Sequence, residues 1–87
     1  MSKFLIKESS IKDGVNERYF NALKQDLSKI VKGLIFNASQ YGGNYACWET
    51  NEFNDADFVD GYSINGLNSF IQNTLNFRYE NFTVKVI

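Results

Sequence analysis

Apolar and polar positions follow two rhythms along this chain. From Lys3 to Glu8 they alternate singly, with Phe4 and Ile6 on one side and Leu5 on the other between two lysines, the pattern of a strand with one face buried. Ser9 to Gly14 is polar turn material. Phe20, Leu23, Leu27, Ile30, Leu34 and Ala38 then recur at spacings of three and four, which predicts an amphipathic helix. Asp13 or Asn16 serves as its N-cap and Tyr41-Gly42-Gly43 as its stop. At about 100° per residue the side opposite the stripe gathers Arg18, Gln25, Lys29 and Lys32, with Lys24 nearby. Phe36 falls among these basic residues and is expected to be tucked under a neighbouring segment.

Asn44 to Phe53 is rich in aromatic and β-compatible residues and predicts a second strand. Asn54-Asp55-Ala56 has turn composition. Two readings of the next stretch stand side by side: Asp57 to Tyr62 returns as the other arm of a hairpin, or residues 54–62 form an acidic loop. Ser63 is the expected N-cap of a second helix, with Ile64, Leu67, Ile71 and Leu75 as its stripe and its end near Asn76. Phe77 to Ile87 closes the chain as a strand in which Phe82, Val84 and Val86 alternate with Thr83, Lys85 and Ile87. The expected fold is a small single α+β domain spanning residues 1–87, an antiparallel sheet with two helices on one face. In the hairpin version its order is β-α-β-β-α-β, the split arrangement called ferredoxin-like.

Composition sharpens this picture. Eighty-seven residues are room for one domain, and 44% hydrophobic with 22% charged residues is globular composition. Eight Phe, five Tyr and one Trp supply the large apolar areas a small core needs. No apolar run is long enough to span a membrane. A lone Cys47, with no Cys/His cluster for zinc, fits a reducing compartment, so a cytoplasmic protein with no cofactor is expected.

The absence of histidine excludes most chemistry. Ser-His-Asp and Cys-His catalysis, imidazole proton shuttling and imidazole metal sites all require a residue this chain lacks. Cys47 has no neighbouring His or Lys cluster to lower its pKa, and reads as a buried structural thiol. The segment from Asp55 fails the EF-hand spacing, with Val59 at the fifth position and Gly66 at the twelfth. Tyr41-Gly42-Gly43-Asn44 follows a helix and precedes a strand, the reverse of a phosphate-binding loop. The reading is non-enzymatic.

Charge is unevenly placed. Net charge is −1, yet residues 1–40 hold seven basic and four acidic side chains while residues 41–87 hold two basic and six acidic. Glu49, Glu52, Asp55, Asp57 and Asp60 are interleaved with Trp48, Phe53 and Phe58. Those eight residues form a candidate partner-binding segment, in which carboxylates meet a basic, nucleic-acid-binding surface on another protein and aromatics serve as anchors. The plainer reading is a solvated tip that keeps the protein soluble. Arg18, Lys24, Lys29 and Lys32 are the alternative, a nucleic-acid face for a small regulator, against which the low pI of about 5.2 counts.

Small size, no catalytic constellation, a composition rich in Lys, Ile and Asn, and a charged surface bearing aromatics together resemble the inhibitors that phages and mobile elements direct against host enzymes or defence systems, anti-CRISPR and anti-restriction proteins among them. That resemblance implies a module that blocks a functional surface of a larger host protein. On the sheet face bare of helices, where Thr83, Lys85 and Ile87 stand beside Leu5, two readings stand: a second contact surface, as a homodimer interface or a docking face, or a face simply wetted and studded with lysines.

Overall fold

A computed structural model describes residues 2–8, 17–39, 46–59 and 61–87. Strand β1 (Phe4–Glu8) lies inside the sheet. It pairs on one side with β3 (Cys47–Thr50), where Ile6 faces Trp48, and on the other with β4 (Phe82–Val86), where Ile6 faces Val84. The short strand β2 (Phe36–Ala38) closes the far edge, with Phe36 opposite Thr50. All pairs are antiparallel and the order is β2-β3-β1-β4. The connection from β1 to β2 passes over β3, and that from β3 to β4 passes over β1, which is the strand order of the split β-α-β arrangement.

Successive side chains of a strand point to opposite faces, so this register decides the core. Phe4 and Ile6 of β1 and Phe82 and Val84 of β4 share one face. Helix α1 (Glu17–Ser28) brings Phe20, Leu23 and Leu27 to that face. Helix α2 (Ile64–Phe70), a π-helical turn (Ile71–Leu75) and the short α3 (Asn76–Arg78) bring Leu67, Ile71 and Leu75 to the same core. Both helical segments therefore cover one side of the sheet. Leu23, Leu27, Leu67 and Leu75 are fully buried, and each such side chain contributes about 1.5–3 kcal/mol relative to an exposed one. The other face carries Leu5 with Glu49 and Lys85 beside it, and Lys7 with Cys47 and Thr83.

The long helix ends early. Its stripe was expected to run to Ala38, but α1 stops at Ser28 and the chain turns through Lys29 and Ile30. Gly33 adopts φ +74, a left-handed conformation that side chains with a Cβ disfavour. Beyond it, Ile35 and Phe36 belong to the residue types that fit a pleated sheet, and Phe36 enters β2. Phe36 is half-buried and packs against the core, as expected of a tucked aromatic, and Leu34 does the same. Ala38 is exposed. The expected caps Asp13 and Asn16 and the stop at Tyr41-Gly42-Gly43 lie outside the described residues.

The second arm of the proposed hairpin is replaced by a 3-10 turn, Asp55–Asp57, followed by an isolated bridge between Phe58 and Val31. Asn54 and Asp57 close the turn by accepting from the Ala56 and Asn54 N–H groups, and the residues that follow pair with 30–32 instead of with β3. Ser63 caps α2 as expected, its Oγ accepting from the Gly66 N–H at 3.2 Å. The helical path continues to Arg78, so the final strand starts at Phe82, and Phe77 stands on the helix 85% exposed. Among the described residues no helix is long and apolar enough to cross a membrane.

Candidate functional site

The acidic segment begins where β3 ends. Asn51 ties this corner to the turn after α1: its Oδ1 accepts from the Ile35 N–H at 2.9 Å, its Nδ2 donates to the Gly33 carbonyl at 3.1 Å, and its own N–H donates to the Ile35 carbonyl at 3.2 Å. Two residues on, Phe53 pairs with Ser2 through both backbone groups, which extends the β1 side of the sheet by one bridge. Its ring is buried, 4.8 Å from Phe4 and 5.8 Å edge-on from Phe58. The chain then closes the 3-10 turn. Asn54 Oδ1 accepts from the Ala56 N–H at 3.0 Å and Asp57 Oδ2 from the Asn54 N–H at 2.9 Å, a reciprocal cap. The turn is held to the rest of the molecule by Lys32, whose N–H donates to the Asp57 carbonyl at 2.8 Å, and by Val59, whose N–H donates to the Ile30 carbonyl at 2.9 Å.

This geometry divides the eight candidate partner-binding residues. Phe53 is buried and is a packing residue, while Trp48 is half-buried on the core face, its ring 4.1 Å from Phe20 and 6.4 Å from Phe82. Phe58 is half-buried beside Phe53. Glu49 stands on the open sheet face in an ion pair with Lys3 at 3.1 Å, and Asp57 holds its cap. Glu52 and Asp55 are exposed, and neither carboxylate has an ion-pair partner among the described residues. Asp60 lies outside the described residues.

The basic candidates are divided as well. Arg18 is exposed on α1, and Lys24 lies over the Phe20 ring at 4.8 Å, a cation–π contact. Lys29 and Lys32 follow the end of the helix, so the array inferred from a continuous helix face is broken. Lys29 is engaged with Asp26 at 3.8 Å.

Asp26 organises a cluster that the sequence pattern does not single out. Its carboxylate accepts from the Tyr79 hydroxyl at 2.5 Å and from Arg78 Nη1 at 3.2 Å, joining α1 to the end of the second helical segment. Burial, then the hydrogen bond to Asp26 and its negative charge, push the Tyr79 phenol above its usual range of about 10, and the Arg78 guanidinium opposes part of that rise. Helical spacing places Asp26 beside Leu27, but its partners lie 52 and 53 residues away, and no local signal announces them. Among the described residues no group of three His, Cys, Asp or Glu side chains is arranged to hold a metal ion. Cys47 is a buried free thiol.

Compared with protein-family models, with curated proteins and with solved structures, the chain finds no significant match.

Proposed function

We propose that this chain is a small non-enzymatic protein-binding module whose acidic turn meets a basic, nucleic-acid-binding surface of a larger protein. The observation that supports it is the state of Glu52 and Asp55: both carboxylates are exposed, with no ion-pair partner among the described residues, on a turn pinned at both ends by Asn51, Lys32 and Val59. A pre-ordered array of unneutralised charge loses little conformational freedom on binding and speeds encounter with a surface of opposite sign. The aromatic contribution narrows to the half-buried Trp48 and Phe58, since Phe53 belongs to the core. Within this reading the partner is a host protein and the module an inhibitor of the phage or mobile-element kind, such as an anti-CRISPR or anti-restriction protein. Nothing in the placement of Arg18, Lys24, Lys29 and Lys32 favours the nucleic-acid alternative, because one of them lies over a ring and another in an ion pair.

The test is a pull-down from host lysate identified by mass spectrometry, followed by stopped-flow association with the purified partner. Replacing Glu52 and Asp55 by Ser should slow association markedly at low salt while shifting stability by no more than about 0.5 kcal/mol. Wild-type and variant rates that coincide across ionic strength would remove the turn from the interface. Salt-dependent retention of the wild-type chain on DNA or RNA would favour the alternative.

A further inference from the structure

A second surface runs along the outer edge of β4. There β4 and the second helical segment enclose a groove of about 250 Å³, with Asn68, Ile71, Gln72 and Asn76 on the helical wall and residues 83–86 on the strand wall. Asn68, Gln72 and Asn76 are spaced by four, so they line one side of the helical path as three carboxamides, and the π-helical turn Ile71–Leu75 lies among them.

The backbone of β4 shows what such a groove accepts. Ile87 and Lys3 exchange both backbone bonds, so in this antiparallel pair the N–H and C=O groups of Thr83 and Lys85 also face β1, while those of Val84 and Val86 point away from the sheet. The Val84 N–H is met by Asn76 Oδ1 at 3.2 Å. The Val84 carbonyl and both backbone groups of Val86 have no partner among the described residues; Val86 is half-buried, whereas Val84 is buried beneath the helical wall, so the edge is open at Val86 and extends to Val84 only when the Asn76 side chain moves aside. Alternating main-chain donors and acceptors along a strand edge are complementary to one thing above all, the backbone of another extended chain. The Asn76 carboxamide occupies the place that such a strand's carbonyl would take.

Charge selects among strands. Lys85 is exposed, and it has no ion-pair partner among the described residues. Two copies of β4 paired antiparallel about Lys85 would set like charges directly opposite, which is destabilising and is a common device against edge-to-edge association. A strand carrying a carboxylate at that position gains an ion pair instead.

We propose that the β4 edge is a docking site for an extended, acidic segment of a partner protein, which adds to the sheet at Val84 and Val86, displaces the Asn76 carboxamide and places an Asp or Glu against Lys85. The site is separate from the acidic turn and does not depend on the function proposed for it.

The probe is a pair of peptides, acetyl-Thr-Val-Asp-Val-Thr-amide and the same peptide with Lys in place of Asp, added to the full-length chain while backbone amides are followed by NMR. The acidic peptide should shift the Val84 and Val86 amides and slow exchange of the Val86 proton, and the basic peptide should bind at least several-fold more weakly. Lys85→Glu should reverse that order. Asn76→Ala should tighten binding of the acidic peptide by about fivefold, the worth of one hydrogen bond no longer contested. No change at Val84 and Val86 at millimolar peptide, equal binding of both peptides, or shifts confined to the acidic turn would overturn the proposal. Concentration-dependent shifts at these amides without peptide would also overturn it, by making a second copy the occupant.

Discussion

The side chain of Asn51, at the end of β3, donates from Nδ2 to the carbonyl oxygen of Gly33 at 3.1 Å, across 18 positions of sequence. With the two further bonds between Asn51 and Ile35 it holds the turn that converts α1 into β2, and through that turn it fixes one end of the acidic segment. Asn51→Ala should therefore destabilise the protein by about 1–2 kcal/mol, the range for losing side-chain hydrogen bonds to backbone groups that are partly wetted. Asn51→Asp keeps the acceptor for Ile35 and loses the donor to Gly33, and should fall between the two. Urea denaturation followed by circular dichroism orders the three proteins.

Gly33 itself offers a cleaner test of the turn. A Cβ built there meets nothing within 4 Å, so no steric contact opposes substitution, and the cost of Gly33→Ala is conformational alone. At φ +74 that cost should be about 1–2 kcal/mol. Gly33→Asn should be milder, since Asn tolerates the left-handed region. An alanine variant as stable as the wild type would mean that the turn is not held in this conformation in solution.

Leu27 is fully buried in the last turn of α1, whereas Lys29 lies exposed just beyond its end. Leu27→Ala should cost about 2–5 kcal/mol and Lys29→Ala little, read from denaturation midpoints. Equal losses would place the wrong face of the helix against the sheet.

Phe53 and Phe77 make the same comparison for aromatics. The first is buried between Phe4 and Phe58, and the second is the most exposed large apolar side chain among the described residues. Phe53→Ala should cost about 3–5 kcal/mol. Phe77→Ser should leave the denaturation midpoint nearly unchanged.

Tyr79 links stability to alkaline pH. Its phenol is raised in the folded protein by burial and by Asp26, so the folded state holds this proton more tightly than the unfolded chain does. The stabilisation it brings is complete below the unfolded value of about 10 and is lost as pH rises through the higher folded value. Tyr79→Phe should lack this component of the alkaline fall in stability. In the ultraviolet titration of phenolate absorbance, the difference between wild type and Tyr79→Phe should be a single component titrating above pH 10. A component titrating at or below that pH would contradict the environment seen here.

Local pattern determined a good part of this protein. Single alternation marked β1 and the pairing face of β4, threefold and fourfold spacing marked both helical segments, and Ser63 declared its cap, because each of these signals lies within a few residues of the structure it specifies. The stretch Leu34 to Ala38 shows where such signals stop. It continues the helical period of α1, and only its pairing with β3, Phe36 against Thr50 and Ala38 against Trp48, makes it a strand, an arrangement that depends on partners ten or more residues away. The acidic segment divides in the same manner. Its charge could be counted from residue types alone, but which charges face outward was decided by tertiary structure: the Phe53 bridge to Ser2 turns the aromatic inward, Asp57 is drawn into the cap on Asn54, and Lys3, just before β1, meets Glu49. The groove at β4 has no sequence signature, since it exists only where a helix carrying Asn76 is laid against the free edge of the sheet. Local periodicity reports the backbone's conformational preference, while exposure, pairing and charge environment depend on which distant segments pack together, and that choice is made by the core as a whole.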